Sequence, residues 1–100
     1  MKLVYITAAT DEAEKISKML VKERLVACVN MFPIKSCFRW KGKIEKAEEI
    51  AIIAKTSDKK ASAAICRVKE LHSYEVPCVV AVDVKAGNKD FLKWIEEETK

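Results

Sequence analysis

The chain has 100 residues, half of them apolar and a third charged, a composition that suits one folded domain and excludes a disordered one. Its 19 Lys+Arg against 15 Asp+Glu leave a net charge of +4, and the lysines are scattered among glutamates, so no basic stripe points to nucleic acid. No run approaches the ~20 apolar residues of a membrane span, which excludes a membrane-crossing helix.

In chain order, Leu3 to Ala8 is short, β-branched and aromatic, and reads as a first strand. The apolar run at Met1–Ile6 is too short for a secretory signal and reaches Asp11-Glu12 without a cleavage-like site, so a cytoplasmic protein is expected. Thr10-Asp11 offers an N-cap, with Glu12 and Glu14 in the first turn of a helix. Ala13, Ile16, Met19/Leu20 and the stem of Glu23 make its apolar face. Leu25 to Phe32 reads as a second strand, interrupted by Pro33, a residue suited to a bulge or an edge. Beyond it Phe38, Trp40 and Ile44 share one parity, while Cys37, Arg39, Lys41 and Lys43 share the other, as in a half-covered strand. Gly42 is a tight-turn position, and Glu49 to Lys55 returns as an apolar strand, so Phe38–Lys55 predicts a long hairpin.

Ser57-Asp58 is the expected cap of a second helix with the face Ala61, Ala64/Ile65, Val68 and Leu71. Cys78 to Val84 is an unbroken apolar run suited to a buried fourth strand. Gly87-Asn88 supplies a turn and N-cap for a last helix carrying Phe91, Leu92, Trp94 and Ile95, with Glu96-Glu97-Glu98 as its solvated end. The order β-α-β-β-α-β plus a C-terminal helix is the split βαβ plan of an α+β, ferredoxin-like domain spanning 1–100. Right-handed crossovers place both main helices on one face of the sheet, and a final helix of some ten residues cannot shield the other. Self-association through that second face is therefore expected, with the long hairpin reaching a neighbour.

His72-Ser73-Tyr74-Glu75-Val76-Pro77, leading into Cys78, packs the only histidine, a carboxylate and a strand-starting proline closely together. Imidazole and carboxylate can together bind a divalent cation. The same residues also suit a histidine that ends a helix, a tyrosine packed at an edge and a proline that stops helix continuation. The four cysteines, Cys28, Cys37, Cys66 and Cys78, have no CxxC spacing and lie in apolar patterns, so they are expected reduced and mostly buried. Phe38 and Trp40 on the hairpin suit an interface anchor or a ligand platform. Arg24 and Asn30, at strand ends, suit structural hydrogen bonds or the lining of a pocket between subunits.

Three segments resemble the CutA family of divalent-cation tolerance proteins: Glu23-Arg24-Leu25-Val26-Ala27-Cys28-Val29-Asn30, then Trp40-Lys41-Gly42-Lys43-Ile44 with Glu48-Glu49, then His72-Ser73-Tyr74-Glu75-Val76-Pro77. The resemblance implies a cytoplasmic homotrimer of ferredoxin-like subunits, similar in architecture to trimeric nitrogen-regulatory signalling proteins. It also implies a non-enzymatic role in tolerance of copper or other divalent metals, with His72 as the copper ligand and Cys28 as a second candidate. Partners for His72 would be Glu75, Cys78 or groups of a neighbouring subunit. The chain departs from the family pattern at several positions. Ile6 and Thr7 stand where some relatives have a first-strand Cys, and Leu71 where some have a second His. Ser73 replaces a Pro, and Cys78 replaces a Glu, which exchanges a hard oxygen ligand for a soft one and tilts a site toward copper(I). No organic cofactor is implied.

The alternative function is a trimeric signalling module that binds a small anionic ligand at subunit clefts and docks on a partner protein. No glycine-rich phosphate loop supports it, since the chain has two glycines. Catalytic constellations and the aromatic, glycine-flanked third strand of an RNA-recognition motif are equally missing.

Overall fold

The computed structural model describes residues 1–100. The elements are β1 (Lys2–Ala8), α1 (Ala13–Lys22), β2 (Cys28–Trp40), β3 (Lys43–Thr56), α2 (Ala61–Leu71), β4 (Val79–Asp83) and α3 (Lys89–Glu98). The strands form one antiparallel sheet in the order β2-β3-β1-β4. This is the expected split βαβ plan, with α3 appended.

Strand alternation divides the sheet into two unlike faces. Val4, Ile6 and Ala8 of β1 and Ile52 and Ala54 of β3 turn toward Ala13, Ile16 and Leu20 of α1 and Ala64 and Val68 of α2, closing the core. The residues between them point the other way. Tyr5 lies opposite Ile53 and Val80, and Leu3 opposite Val82, so these apolar side chains share the helix-free face. Val80 and Val82 remain 52% and 54% exposed there. The expectation of a buried β4 therefore fails for the single chain: β4 is an edge strand whose outward valines nothing in the chain covers.

β2 and β3 pair without a break from Cys28↔Lys55 to Trp40↔Lys43. Pro33 does not interrupt β2; it pairs in register with Ile50, and the strand tolerates it because β2 is an edge. Lys41 and Gly42 form the two-residue connection, with φ of 47° and 80°. That turn also corrects the predicted parity: Trp40 faces with Lys43, so Ile44 lies opposite Arg39, on the reverse face from Phe38 and Trp40.

Two predicted caps are used differently. α1 begins after Glu12 and α2 after Lys60, neither with a side-chain cap. Ser57 Oγ accepts from Thr99 at 3.1 Å, and Asp58 pairs with the N-terminal ammonium at 3.0 Å. Asn88 does cap α3, accepting from the Asp90 N–H at 2.9 Å. The cysteines are unpaired as expected but not buried: Cys28 is half-buried, and Cys37, Cys66 and Cys78 are exposed.

Candidate functional site

α2 ends at Leu71, and the His72 backbone turns extended, with φ −82° and ψ 139°. The chain from His72 to Cys78 then crosses the end of the sheet before entering β4. Its anchors come from three different elements. His72 Nε2 donates to the Thr7 carbonyl in β1 at 2.7 Å, and Nδ1 accepts from the Tyr74 N–H at 3.1 Å. These partners fix the neutral, Nε2-protonated tautomer, because a carbonyl can only accept and an N–H only donate. Ser73 donates its N–H to Glu12 Oε1 at 3.2 Å and its hydroxyl to Glu12 Oε2. Tyr74 donates its hydroxyl to Glu49 Oε2 in β3 at 2.8 Å, and its ring lies 4.5 Å from the imidazole. Thr7 adds a backbone bond, its N–H donating to the Cys78 carbonyl at 3.3 Å.

These ties have electrostatic consequences. The Ser73 hydroxyl holds the Glu12 carboxyl below its ordinary 4.5. Partial burial, then the hydrogen bond to Glu49 and that carboxylate's charge, push the Tyr74 phenol up to about 12. Tyr74 is therefore a standing hydrogen-bond donor at neutral pH.

Between this segment and the β2–β3 arm lies a groove of about 1050 Å³. Tyr5, Trp40, Glu49, Tyr74, Glu75 and Cys78 are among its walls. Glu49 sits at its inner side, only 6% exposed. Sequence reading passed over Glu49, Glu12 and Thr7 as site residues. Glu49 did carry a signal, as the carboxylate two residues before Ala51 on the parity of Ala51 and Ile53. Glu12 and Thr7 carried none, since their partners lie 61 and 65 residues away.

The predicted site residues separate into two groups. His72, Tyr74, Glu75, Pro77 and Cys78 come together in one segment, and Phe38 and Trp40 reach the same groove from the arm. Cys28 lies apart, opposite Lys55 at the start of β2, and Asn30 accepts from the Lys55 ammonium. Trp40 is 36% exposed, with Lys41 Nζ 5.7 Å from its ring.

This donor set does not fit a divalent metal ion within one chain. Nowhere do three His, Cys, Asp or Glu side chains converge with ligand geometry. Both nitrogens of His72 are already engaged, and the ring is buried at 8% exposure, so as placed it has no lone pair to offer.

A family model described as CutA1 divalent ion tolerance protein matches residues 2–98. The divalent-cation tolerance protein CutA of Archaeoglobus fulgidus is 50% identical over 94% of this chain and 93% of its own length. The protein of the same name from Pyrococcus horikoshii is 44% identical over 100% and 99%. Among solved structures, the A. fulgidus protein, described as a periplasmic divalent cation tolerance protein, superposes with TM-score 0.96 at 48% identity and full coverage of both chains. A PII-like protein CutA from Nostoc superposes with TM-score 0.97 at 31% identity, covering 100% of this chain and 98% of that one. With the family model spanning almost every residue and the full chain superposing on a relative's structure with TM-score 0.96, the chain belongs to the CutA divalent ion tolerance family.

Proposed function

We propose that this chain is a non-catalytic divalent-cation tolerance protein that acts as a homotrimer. Family membership supports the tolerance role. The observation that carries the assembly is the helix-free sheet face, where Val80 and Val82 stand more than half exposed beside Tyr5 and Ile53. An apolar face of this kind marks an interaction surface, and copies of the chain would cover it. Copper or another divalent ion enters this reading only in the assembled protein. There the exposed Glu75 carboxylate and Cys78 thiol of one chain would meet donors of another, while His72 serves as a strut.

Calorimetric titration of chelator-stripped protein with copper(II), run on material whose mass is measured by sedimentation equilibrium, tests both parts. The expected result is a trimer that binds copper saturably, equally well as His72→Ala, and far more weakly after Glu75→Gln with Cys78→Ser. Loss of binding in His72→Ala alone would make the imidazole a ligand and overturn its role as a strut. A monomer, or no saturable binding, would remove the corresponding half of the proposal.

A further inference from the structure

We propose that the tip of the β2–β3 arm docks on the exposed flank of α3 in a neighbouring copy, so that subunits join head to tail as well as through the open sheet face. Such docking rests on the homotrimer proposed above and gives the arm its acceptor. Arg39, Lys41 and Lys43 crowd the tip around Trp40, all of them exposed, and none forms an ion pair within the chain. Lys41 Nζ stands instead 5.7 Å from the Trp40 ring centroid. A cationic, aromatic tip on a projecting arm fits an acidic, aromatic surface.

The outer side of α3 is such a surface. Its Ile95 is fully buried, yet Phe91 and Trp94 on the adjoining flank stay 38% and 41% exposed, with ring centroids 5.9 Å apart. Along the helix, Trp94 has Asp90 one turn before it and Glu97 and Glu98 one turn after. The side chains of Asp90 and Glu97 form no ion pair, and that of Glu98 reaches only Arg24, at 4.0 Å. Tip and flank are thus opposite in charge, both aromatic, and both without a partner in the chain.

The two surfaces cannot meet within one chain. β3 runs from Lys43 at the tip to Thr56, and Ser57 just beyond it holds Thr99 at the end of α3. At ~3.3 Å per residue that strand is roughly 45 Å long, and the molecule itself measures 45 Å along its longest axis. α3, about 15 Å in length, does not bridge the gap back to the tip. A contact between the two therefore joins separate copies, and a contact between unlike surfaces can repeat around a closed ring.

Carbodiimide cross-linking of the dilute wild-type protein tests this, since it joins a lysine amine to a carboxylate as an amide, with loss of water, only where the two touch. Sedimentation equilibrium first establishes the mass. Peptide mass spectrometry of the cross-linked trimer should find Lys41 or Lys43 joined to Asp90, Glu97 or Glu98. Lys41→Glu with Lys43→Glu should raise the protein concentration needed for assembly roughly tenfold or more, and adding Asp90→Lys with Glu97→Lys should restore it. A trimer whose arm lysines link only to other carboxylates, or to none, overturns the docking and leaves the trimer standing. So does a charge reversal that leaves assembly unchanged, or one that the second pair does not rescue. A wild-type monomer overturns both the trimer and the docking.

Discussion

Arg24 carries the strained backbone of α1's end. Its φ of 60° lies in the left-handed region, where the Arg24 N–H donates to Val21 and the Leu25 N–H to Leu20, both at 3.0 Å. This pair of bonds is the Schellman closure, whose left-handed position favours glycine. The compensation on offer is thin: Arg24 Nη2 reaches the Glu97 carbonyl at 3.4 Å and Glu98 at 4.0 Å, both at the surface. Left-handed backbone costs an L-residue roughly 1–2 kcal/mol, against a fraction of that for such contacts. Arg24→Gly should therefore stabilise the protein by about 0.5–1 kcal/mol, read as a higher urea midpoint with unchanged slope. A lower midpoint would mean that the guanidinium holds α3 more firmly than its distances imply.

At the same scale, two residues give the site segment opposite pH limits. Glu12 has a lowered folded pKa, so its contribution is full above the ordinary 4.5 and is lost as pH falls through the folded value. Glu12→Gln should therefore trail wild type in urea midpoint at pH 7, and the gap should narrow steadily as the pH falls below 4.5. Tyr74 has a raised pKa, so its contribution is full below the ordinary 10.0 and disappears as pH rises toward about 12. Ultraviolet titration of phenolate should show one tyrosine ionising near 12, and Tyr74→Phe should delete that step; a step near 10 in its place would break the Glu49 link.

Among the elements, the β2–β3 arm shows how far local sequence could be read. Alternation and Gly42 revealed a hairpin, and Pro33 correctly pointed to an edge. The side chains beyond the turn were misassigned because a two-residue connection reverses which parity shares a face, as Trp40↔Lys43 shows. Caps failed for another reason: Ser57 and Asp58 have the right chemistry but are engaged by Thr99 and Met1, partners brought by the fold from both ends of the chain. In the site, the residues of the His72–Cys78 segment were legible as a cluster, whereas the role of His72 was not. Whether an imidazole is a ligand or a strut depends on what its nitrogens meet, and Thr7 lies 65 residues away. The turn itself is testable. A Cβ at Gly42 would meet nothing within 4 Å, so Gly42→Ala isolates the backbone cost of φ 80°. It should destabilise the chain by about 1 kcal/mol in denaturant titration; a neutral result would show that the turn relaxes to another type.

The whole molecule is longer than its own core requires. It measures 45 × 25 × 20 Å with a radius of gyration of 14.0 Å, against about 13 Å for a compact domain of this size. The excess is the arm, on which Phe38 and Ile44 are 43% and 66% exposed. Arm and helix-free face both leave large apolar side chains exposed, and the proposed interface between copies would cover both. Val82→Glu is the discriminating change. Val82 is 54% exposed, so a glutamate there stays in water in the isolated chain and leaves the core packing untouched. In a trimer that buries this face, the same carboxylate loses its water without gaining a partner, a penalty of several kcal/mol for each charge. Sedimentation equilibrium should therefore find wild type as a trimer and Val82→Glu as a monomer with retained circular dichroism. The variant's melting temperature should also be lower and independent of concentration, since it no longer gains stability from association. A Val82→Glu protein that remained trimeric would place the interface elsewhere and leave the open sheet face without an occupant.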